Sequence, residues 1–205
     1  MAAYAILKRV VDTTAAAALL VASLPVLAAA AIAILVGMGG PVLFRQRRTG
    51  RLGREFTLWK LRTMRPAPPG TSAEQDGARL TPLGRWLRAT SIDELPQVWN
   101  VLRGDMSLVG PRPLLPAYLP RYSPEQARRH EVRPGLTGLT QVSGRNALSW
   151  EEKFRLDVWY VDHRSFALDA WIVWRTLRIV VARAGVSAPD HASMPEFLGS
   201  EANGR

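Results

Sequence analysis

No cysteine occurs anywhere in the 205 residues. That excludes a disulfide framework, a thiol nucleophile, and zinc or iron–sulfur sites held by cysteine. Histidine is scarce as well: His130, His163 and His191 are the three present, and none has the spacing of a metal-ligand pair. There is no Gly-rich P-loop and no G-x-G-x-x-G, which argues against a nucleotide fold of those types. No order of serine, histidine and aspartate suggests a hydrolase triad, and no internal repeat is visible. Acidic residues are outnumbered, 17 against 27 Lys and Arg, for a formal charge of +10. A basic excess of that size anticipates an anionic partner: nucleic acid, an anionic membrane surface, or a phosphorylated substrate. Apolar residues make up 47% of the chain, which rules out wholesale disorder, and the length fits one modest domain.

Charge itself is missing from one region. Residues 13–44 contain no charged side chain. Thr13–Val36 as a helix would reach about 36 Å, enough for a bilayer core, and Gly37, Gly39, Gly40 and Pro41 end it. Three readings follow. One is a single transmembrane anchor. The second is a re-entrant hairpin: Ser23-Leu24-Pro25 sits mid-run, where Pro25 removes a backbone donor and Ser23 can satisfy the freed groups. Both flanks are basic, with Lys8 and Arg9 before and Arg45, Arg47, Arg48, Arg51 and Arg54 after, which favours keeping both on one side. A cleaved signal peptide at Ala28–Ala30 is disfavoured, because the apolar run continues past it without a polar junction.

The charge is regional. Arg45–Arg65 holds eight basic residues and one acid, Glu55, and so carries +7 of the +10. A nucleic-acid reading would need a basic face on the folded body; the sequence offers a basic collar directly after the membrane segment. Phe56–Trp59 has strand character, and Arg65–Gly77 reads as a surface loop. Arg85–Thr90 is a short basic helix. Ser91–Leu102 is predicted as a helix with capping-box spacing at Ser91 and Glu94, though Pro96 allows a start nearer Leu95. Pro124–Glu131 and Ser149–His163 are helical, and Val132–Arg145 has Gly-rich turns with β-type residues between them. Asp169–Ala184 is amphipathic, with Trp171 and Trp174 interleaved with Arg175 and Arg178, which suits a membrane interface as well as an ordinary surface helix. The expected architecture is mostly α with little β. It has an N-terminal membrane segment and hairpin flanks over 1–44, a compact cytosolic domain with amphipathic interfacial helices over 45–188, and a tail over 189–205.

Few residues can carry chemistry. Asp93 and Glu94 are adjacent acids at the start of an apolar-faced helix, just after Arg85 and Arg88. A helix N-terminus and nearby guanidinium groups both favour carboxylate, as a covalent nucleophile or a magnesium ligand requires; simple N-capping by acids is the plainer alternative. Lys60, Arg62, Arg88, Arg112 and Arg145 lie beside turn signals, and arginine forks suit phosphate oxygens. Pro111 and Pro113 fix the backbone around Arg112.

Several motifs then occur in order: Lys60-Leu61-Arg62-Thr63-Met64, Ser91-Ile92-Asp93-Glu94-Leu95-Pro96-Gln97, Gly104–Pro113, Val132–Gly138 and Gln141–Arg145. Together they resemble the bacterial sugar transferases, over nearly the whole chain, and in length the small monotopic phosphoglycosyl transferases. The resemblance implies a re-entrant helix broken near Ser23 and Pro25, at the cytoplasmic face of a bacterial inner membrane. It implies transfer of a sugar-1-phosphate from a UDP-sugar to polyprenyl phosphate, with release of UMP and a requirement for Mg²⁺. Residue by residue, Asp93 matches the nucleophile and Glu94 its dyad partner near the metal. Arg88 and Arg112 match phosphate or nucleotide contacts, while Lys60, Gln141, Arg145, Asp157 and Asp169 lie in family motifs. Similarity over Tyr118–His130, Asn146–Val161 and Gly185–Gly199 leans towards an N-acetylated amino sugar such as di-N-acetylbacillosamine. Implied partners are the membrane with its anionic headgroups and downstream glycosyltransferases, and no nucleic acid. The competing classes are a membrane-anchored basic binding module for anionic lipid or nucleic acid, and a lipid phosphatase.

Overall fold

A computed structural model describes residues 2–66, 76–144, 147–182 and 196–199. Most of the loop 65–77, Arg145, and the tail 189–205 apart from 196–199 lie outside the described residues. The chain opens with α1 (Ala2–Met38), whose most apolar stretch has a mean hydropathy of 2.7 and which is long and apolar enough to cross a membrane. Its 37 residues give a length of about 55 Å. The helix runs through Pro25, so no loop separates two arms of a hairpin. Pro25 cannot donate to the carbonyl of Val21, and Ser23 Oγ donates to the carbonyl of Leu20 at 2.9 Å.

One stripe of α1 is covered along its whole length. Asp12, Ala16, Ser23, Ala30 and Ile34 are buried, with Leu20, Leu27 and Met38 partly so, at the three-and-four spacing of a single helix face. Ile6, Val10, Val21, Leu24, Ile32 and Val36 on the other faces are exposed. Both ends rest on the same body. At the start, Tyr4 and Lys8 donate to Asp169 at 3.0 and 2.8 Å, and Arg9 donates to the carbonyls of Val101 and Leu102. At the end, Ala30 and Ile34 pack on Leu61 and Leu87, and Arg62 donates to the carbonyls of Met38, Gly39 and Gly40. A cation on the last carbonyls of a helix satisfies orphan acceptors and complements the helix dipole.

After α1 an antiparallel hairpin forms from β1 (Leu43–Thr49) and β2 (Glu55–Leu61), with Leu43 opposite Leu61 and Thr49 opposite Glu55. The strand expected at Phe56–Trp59 is the centre of β2. The short α2 (Asp76–Arg79) leads to α3 (Pro82–Ala89). That helix starts earlier than its basic residues suggest, because Thr81 caps it by accepting from Gly84 N, and Pro82 suits the first turn. Gly84 lies so close to Thr63 that a Cβ would sit 1.9 Å from the Thr63 carbonyl oxygen, so α3 packs on the chain after β2 only through glycine.

The helix expected over Ser91–Leu102 divides. Ile92–Gln97 is 3₁₀, and α4 (Val98–Arg103) follows. Ser91 has φ 56° and makes no side-chain cap, so the capping box is not formed there. Pro96 is the physical reason, since it removes a backbone donor and crowds the preceding turn. Beyond, β3 (Ser107–Val109) pairs in parallel with β4 (Gly135–Thr137). Between them lie α5 (Pro124–Ala127), with a complete Ser123/Gln126 capping box, and a 3₁₀ turn over Arg128–Glu131. Then come α6 (Leu139–Ser143), α7 (Trp150–His163), capped by Ser149 and Glu152 as expected, and α8 (Phe166–Ala182). The fold is mostly helical with two small sheets. Trp159, Trp171, Trp174, Leu177 and Val181 on α7 and α8 are exposed, with Arg175 and Arg178 stacked over Trp171 and Trp174. Near the C-terminus, Phe197 is fully buried among Tyr118, Tyr122, Trp150 and Phe154.

Candidate active site

The acids expected to carry chemistry sit on the 3₁₀ turn Ile92–Gln97, held against β2. Asn100, fully buried on α4, makes that junction: its amide donates to the Thr57 carbonyl at 2.8 Å and accepts from Trp59 N at 3.3 Å. It thereby binds the strand that carries Lys60 to the helix that follows the acids. Lys60 Nζ lies 2.6 Å from Glu94 Oε1, and Arg112 reaches the same oxygen at 3.0 Å. Pro111 and Pro113 are buried and Arg112 between them is exposed, as two prolines bracketing one guanidinium predict. Arg88 lies on α3, where its Nε donates to Thr63 Oγ1 at 3.0 Å.

The two carboxylates have opposite fates. Burial works to raise Glu94, but the Lys60 ammonium and the Arg112 guanidinium outweigh it and hold the carboxyl well below the usual range. Asp93 is pushed up to about 6, first by burial and then by the Glu94 carboxylate, against the pull of Lys60, Arg88 and Arg112. This corrects the expectation that a helix terminus and arginines keep Asp93 strongly ionised. The turn is a single short 3₁₀ segment, and the cations that stabilise an anion are bonded to Glu94 instead. Asp93 is 6% exposed and has no hydrogen bond or ion pair among the described residues, so its carboxylate is available to react.

A cavity of about 20 Å³ is lined by Arg48, Leu58, Lys60, Gln97, Arg112 and Pro113, and so meets the acid pair through the two cations that hold Glu94. Arg48 stands out. Burial, and then the neighbouring Arg112, lower its pKa to about 10. Three cations around one small cavity suit an anion bearing several oxygens. Arg48, Gln97 and Asn100 were not singled out from the sequence. Arg48 was one of eight basic residues in its segment, and nothing local marked it as the one that turns inward.

Other expected site residues are engaged elsewhere. Arg62 clamps the end of α1. Asp157 is buried in an ion pair with Arg129 at 2.7 Å and also accepts from Thr140 at 2.6 Å. Arg129 in turn donates to the Arg112 carbonyl at 2.7 Å, so Asp157 acts on the site by holding the loop that carries Arg112. Asp169 ties α8 to α1 and α7, accepting from Tyr4, Lys8 and Tyr160. Gln141 lies on α6, beside Gly138. Arg145 lies outside the described residues. The Ser23 and Pro25 positions expected to break the membrane helix lie within the continuous α1.

No cluster of three or more His, Cys, Asp or Glu exists among the described residues. Magnesium is commonly held by one or two carboxylates together with substrate phosphates and water. An unpartnered Asp93 beside Glu94 fits that mode, in which the substrate completes the coordination.

Comparison with known proteins bears on this arrangement. Residues 3–183 match the family described as bacterial sugar transferase. The uncharacterized sugar transferase EpsL of Bacillus subtilis (strain 168) is 50% identical over 196 residues, covering 95% of this chain and 97% of the relative. The UDP-glucose:undecaprenyl-phosphate glucose-1-phosphate transferase of Caulobacter vibrioides is 47% identical over 185 residues, 85% of this chain and 67% of its own. The UDP-N-acetylgalactosamine-undecaprenyl-phosphate N-acetylgalactosaminephosphotransferase of Aeromonas hydrophila is 37% identical over 191 residues, covering 89% of this chain but 45% of the relative.

Proposed function

Because this chain belongs to the bacterial sugar transferase family, we propose that it moves a sugar-1-phosphate from a UDP-sugar to polyprenyl phosphate, releasing UMP, through a covalent aspartate intermediate. The observation that carries the reading is the buried, unpartnered Asp93 beside a Glu94 locked by Lys60 and Arg112. In the first step an Asp93 carboxylate oxygen attacks the β-phosphorus of the UDP-sugar. The bond to the bridging oxygen breaks, UMP leaves, and a phosphoglycosyl-aspartate remains. In the second step a phosphate oxygen of polyprenyl phosphate attacks the same phosphorus, and the bond to Asp93 breaks to return the carboxylate.

Splitting the reaction removes the need to hold a diphosphate and a lipid phosphate together, which repel one another. Arg48, Lys60 and Arg112 supply positive charge to phosphate oxygens from fixed positions, where it is worth more than in water. Glu94 keeps Lys60 and Arg112 in place and, through its charge, keeps Asp93 basic enough to be reactive. Mg²⁺, held by Asp93 and Glu94 with the substrate phosphates, would neutralise charge on the leaving diphosphate.

The placement at the membrane is also a proposal. Both ends of α1 rest on one body, which supports a monotopic, re-entrant helix rather than a straight crossing, with the domain on the cytoplasmic face of the inner membrane. The exposed tryptophans of α7 and α8 then lie at the interface. The donor we favour is an N-acetylated amino sugar, from the resemblance over Tyr118–His130 and Asn146–Val161 and the named activity of the Aeromonas relative. The Caulobacter relative's name supports UDP-glucose as the second reading. A UMP-release screen over a panel of UDP-sugars with undecaprenyl phosphate decides both points. UMP that needs both donor and lipid phosphate is the expected result. Salt-sensitive nucleic-acid binding without UMP, or release of inorganic phosphate, would favour the binding module or the phosphatase.

A further inference from the structure

A second cationic cavity, of about 90 Å³, lies where the first turns of α1 meet β3 and α7. It shares no lining residue with the cavity lined by Arg48, Lys60 and Arg112. Five basic residues line it, Lys8, Arg9, Arg51, Arg133 and Arg164, against the two acids Asp12 and Glu131. Lys8 is neutralised by Asp12 and Asp169, but none of the four arginines makes an ion pair with a carboxylate among the described residues. By contrast, Arg129, which is buried, is paired with Asp157.

The arginines are held by backbone carbonyls instead. Arg9 spends both terminal nitrogens on Val101 and Leu102, Arg133 spends Nε on Gly104, and Arg51 spends Nε on Glu131. Each guanidinium is therefore fixed in place without being neutralised. The terminal nitrogens of Arg51 and Arg133 have no partner among the described residues, which leaves two forks of the kind that grip phosphate oxygens. Burial, followed by the charges of Arg9 and Arg51, lowers the Arg133 pKa against the pull of Asp12. The cavity also adjoins lipid-type surface: Ile6, Leu7, Val10 and Val11 on the same turns of α1 are exposed.

We propose that this cavity is a second, non-catalytic binding site for a phosphate group, gripped by Arg51 and Arg133 at the root of α1. A phospholipid headgroup and a soluble phosphate share that chemistry. The exposed apolar turns beside it make the headgroup the expected source. An anion there would tie α1 to the 3₁₀ turns and to α7, setting how the membrane helix sits on the domain. The inference does not depend on the transfer reaction.

The test uses the full chain and the double variant Arg51→Gln/Arg133→Gln, with Arg51→Gln alone as a milder second variant at an exposed side chain. After reconstitution into vesicles of equal phosphatidylglycerol and phosphatidylcholine, native mass spectrometry counts the lipid retained on the detergent-released protein. In lipid-free detergent, the thermal midpoint is followed against inorganic phosphate. Retained phosphatidylglycerol on the parent chain, with affinity about tenfold weaker in the double variant and an intermediate loss in Arg51→Gln, is the expected outcome. If only the stabilisation by inorganic phosphate falls in the variants, the site stands with a soluble phosphate as its ligand. If parent and variants behave alike in both arms, the site does not exist.

Discussion

Asp93→Asn should make the protein more stable while abolishing turnover, and the gain should depend on pH. Asp93 rises from 3.8 to about 6 on folding. That is about 2 pH units, and so about 3 kcal/mol of folding free energy lost when the carboxyl is ionised. The sign follows from which form the fold prefers. The folded value lies above the unfolded one, so the cost is absent below about pH 4, grows as pH rises, and is complete above about pH 6. An amide of similar shape has no charge to desolvate. Relative to the parent chain, Asp93→Asn should gain about 3 kcal/mol near pH 8 but only about 1.5 kcal/mol near pH 5. Thermal midpoints of the two proteins in one detergent, measured at both pH values, read the difference directly. UMP release measured in parallel should be lost at both. A variant less stable than the parent near pH 8, or a gain that does not grow with pH, would refute the account of Asp93 as a carboxylate buried at a cost. Undiminished turnover would refute its role as nucleophile.

The remaining predictions concern the groups around that carboxylate and the supports of the fold. UMP release by the parent chain should rise with pH through about 6 as Asp93 ionises, and a rate flat from about pH 5 to about pH 8 would contradict this. In Glu94→Gln the repulsion that helps raise Asp93 is gone, so the acid limb should move to lower pH while the maximal rate falls, as a pH–rate profile would show. Arg62→Ala removes charge-assisted bonds to the last carbonyls of α1 and should cost about 3 kcal/mol, measured as a lower thermal midpoint, with the KM for UDP-sugar unchanged. A raised KM would return Arg62 to the substrate site. Phe197→Ala empties a fully buried aromatic position and should cost about 3 kcal/mol, while a midpoint unchanged by the substitution would show that the tail segment does not brace the domain.

The legible parts of the fold were those governed by local chemistry. Ser149 and Glu152 cap α7 as their spacing requires, and the β-branched and aromatic run at Phe56–Trp59 is a strand. Ser91 and Glu94 have the same capping spacing and do not cap, because Pro96 turns the segment into 3₁₀ and Glu94 is drawn to Lys60 and Arg112. The basic groups were the least legible. Lys60, Arg62 and Arg48 lie within one stretch of chain, yet one binds Glu94, one clamps a helix end, and one lines a cavity.

By itself the sequence determined that one long segment is free of charge and apolar enough for lipid, that no thiol or cysteine-ligated metal chemistry is possible, and that an acid pair set among family motifs is the candidate for the chemistry. Such properties belong to side chains and their near neighbours, so they survive without a fold. Only the tertiary structure decided which cations meet which acids. Lys60 comes from 34 residues before Glu94 and Arg112 from 18 residues after, and they converge on one oxygen. That convergence holds Glu94 ionised, leaves Asp93 buried without a partner, and so distinguishes two carboxylates that stand side by side in the chain. Burial and charge–charge energies depend on distance through space, and two neighbouring residues can occupy opposite electrostatic environments once the chain has folded around them.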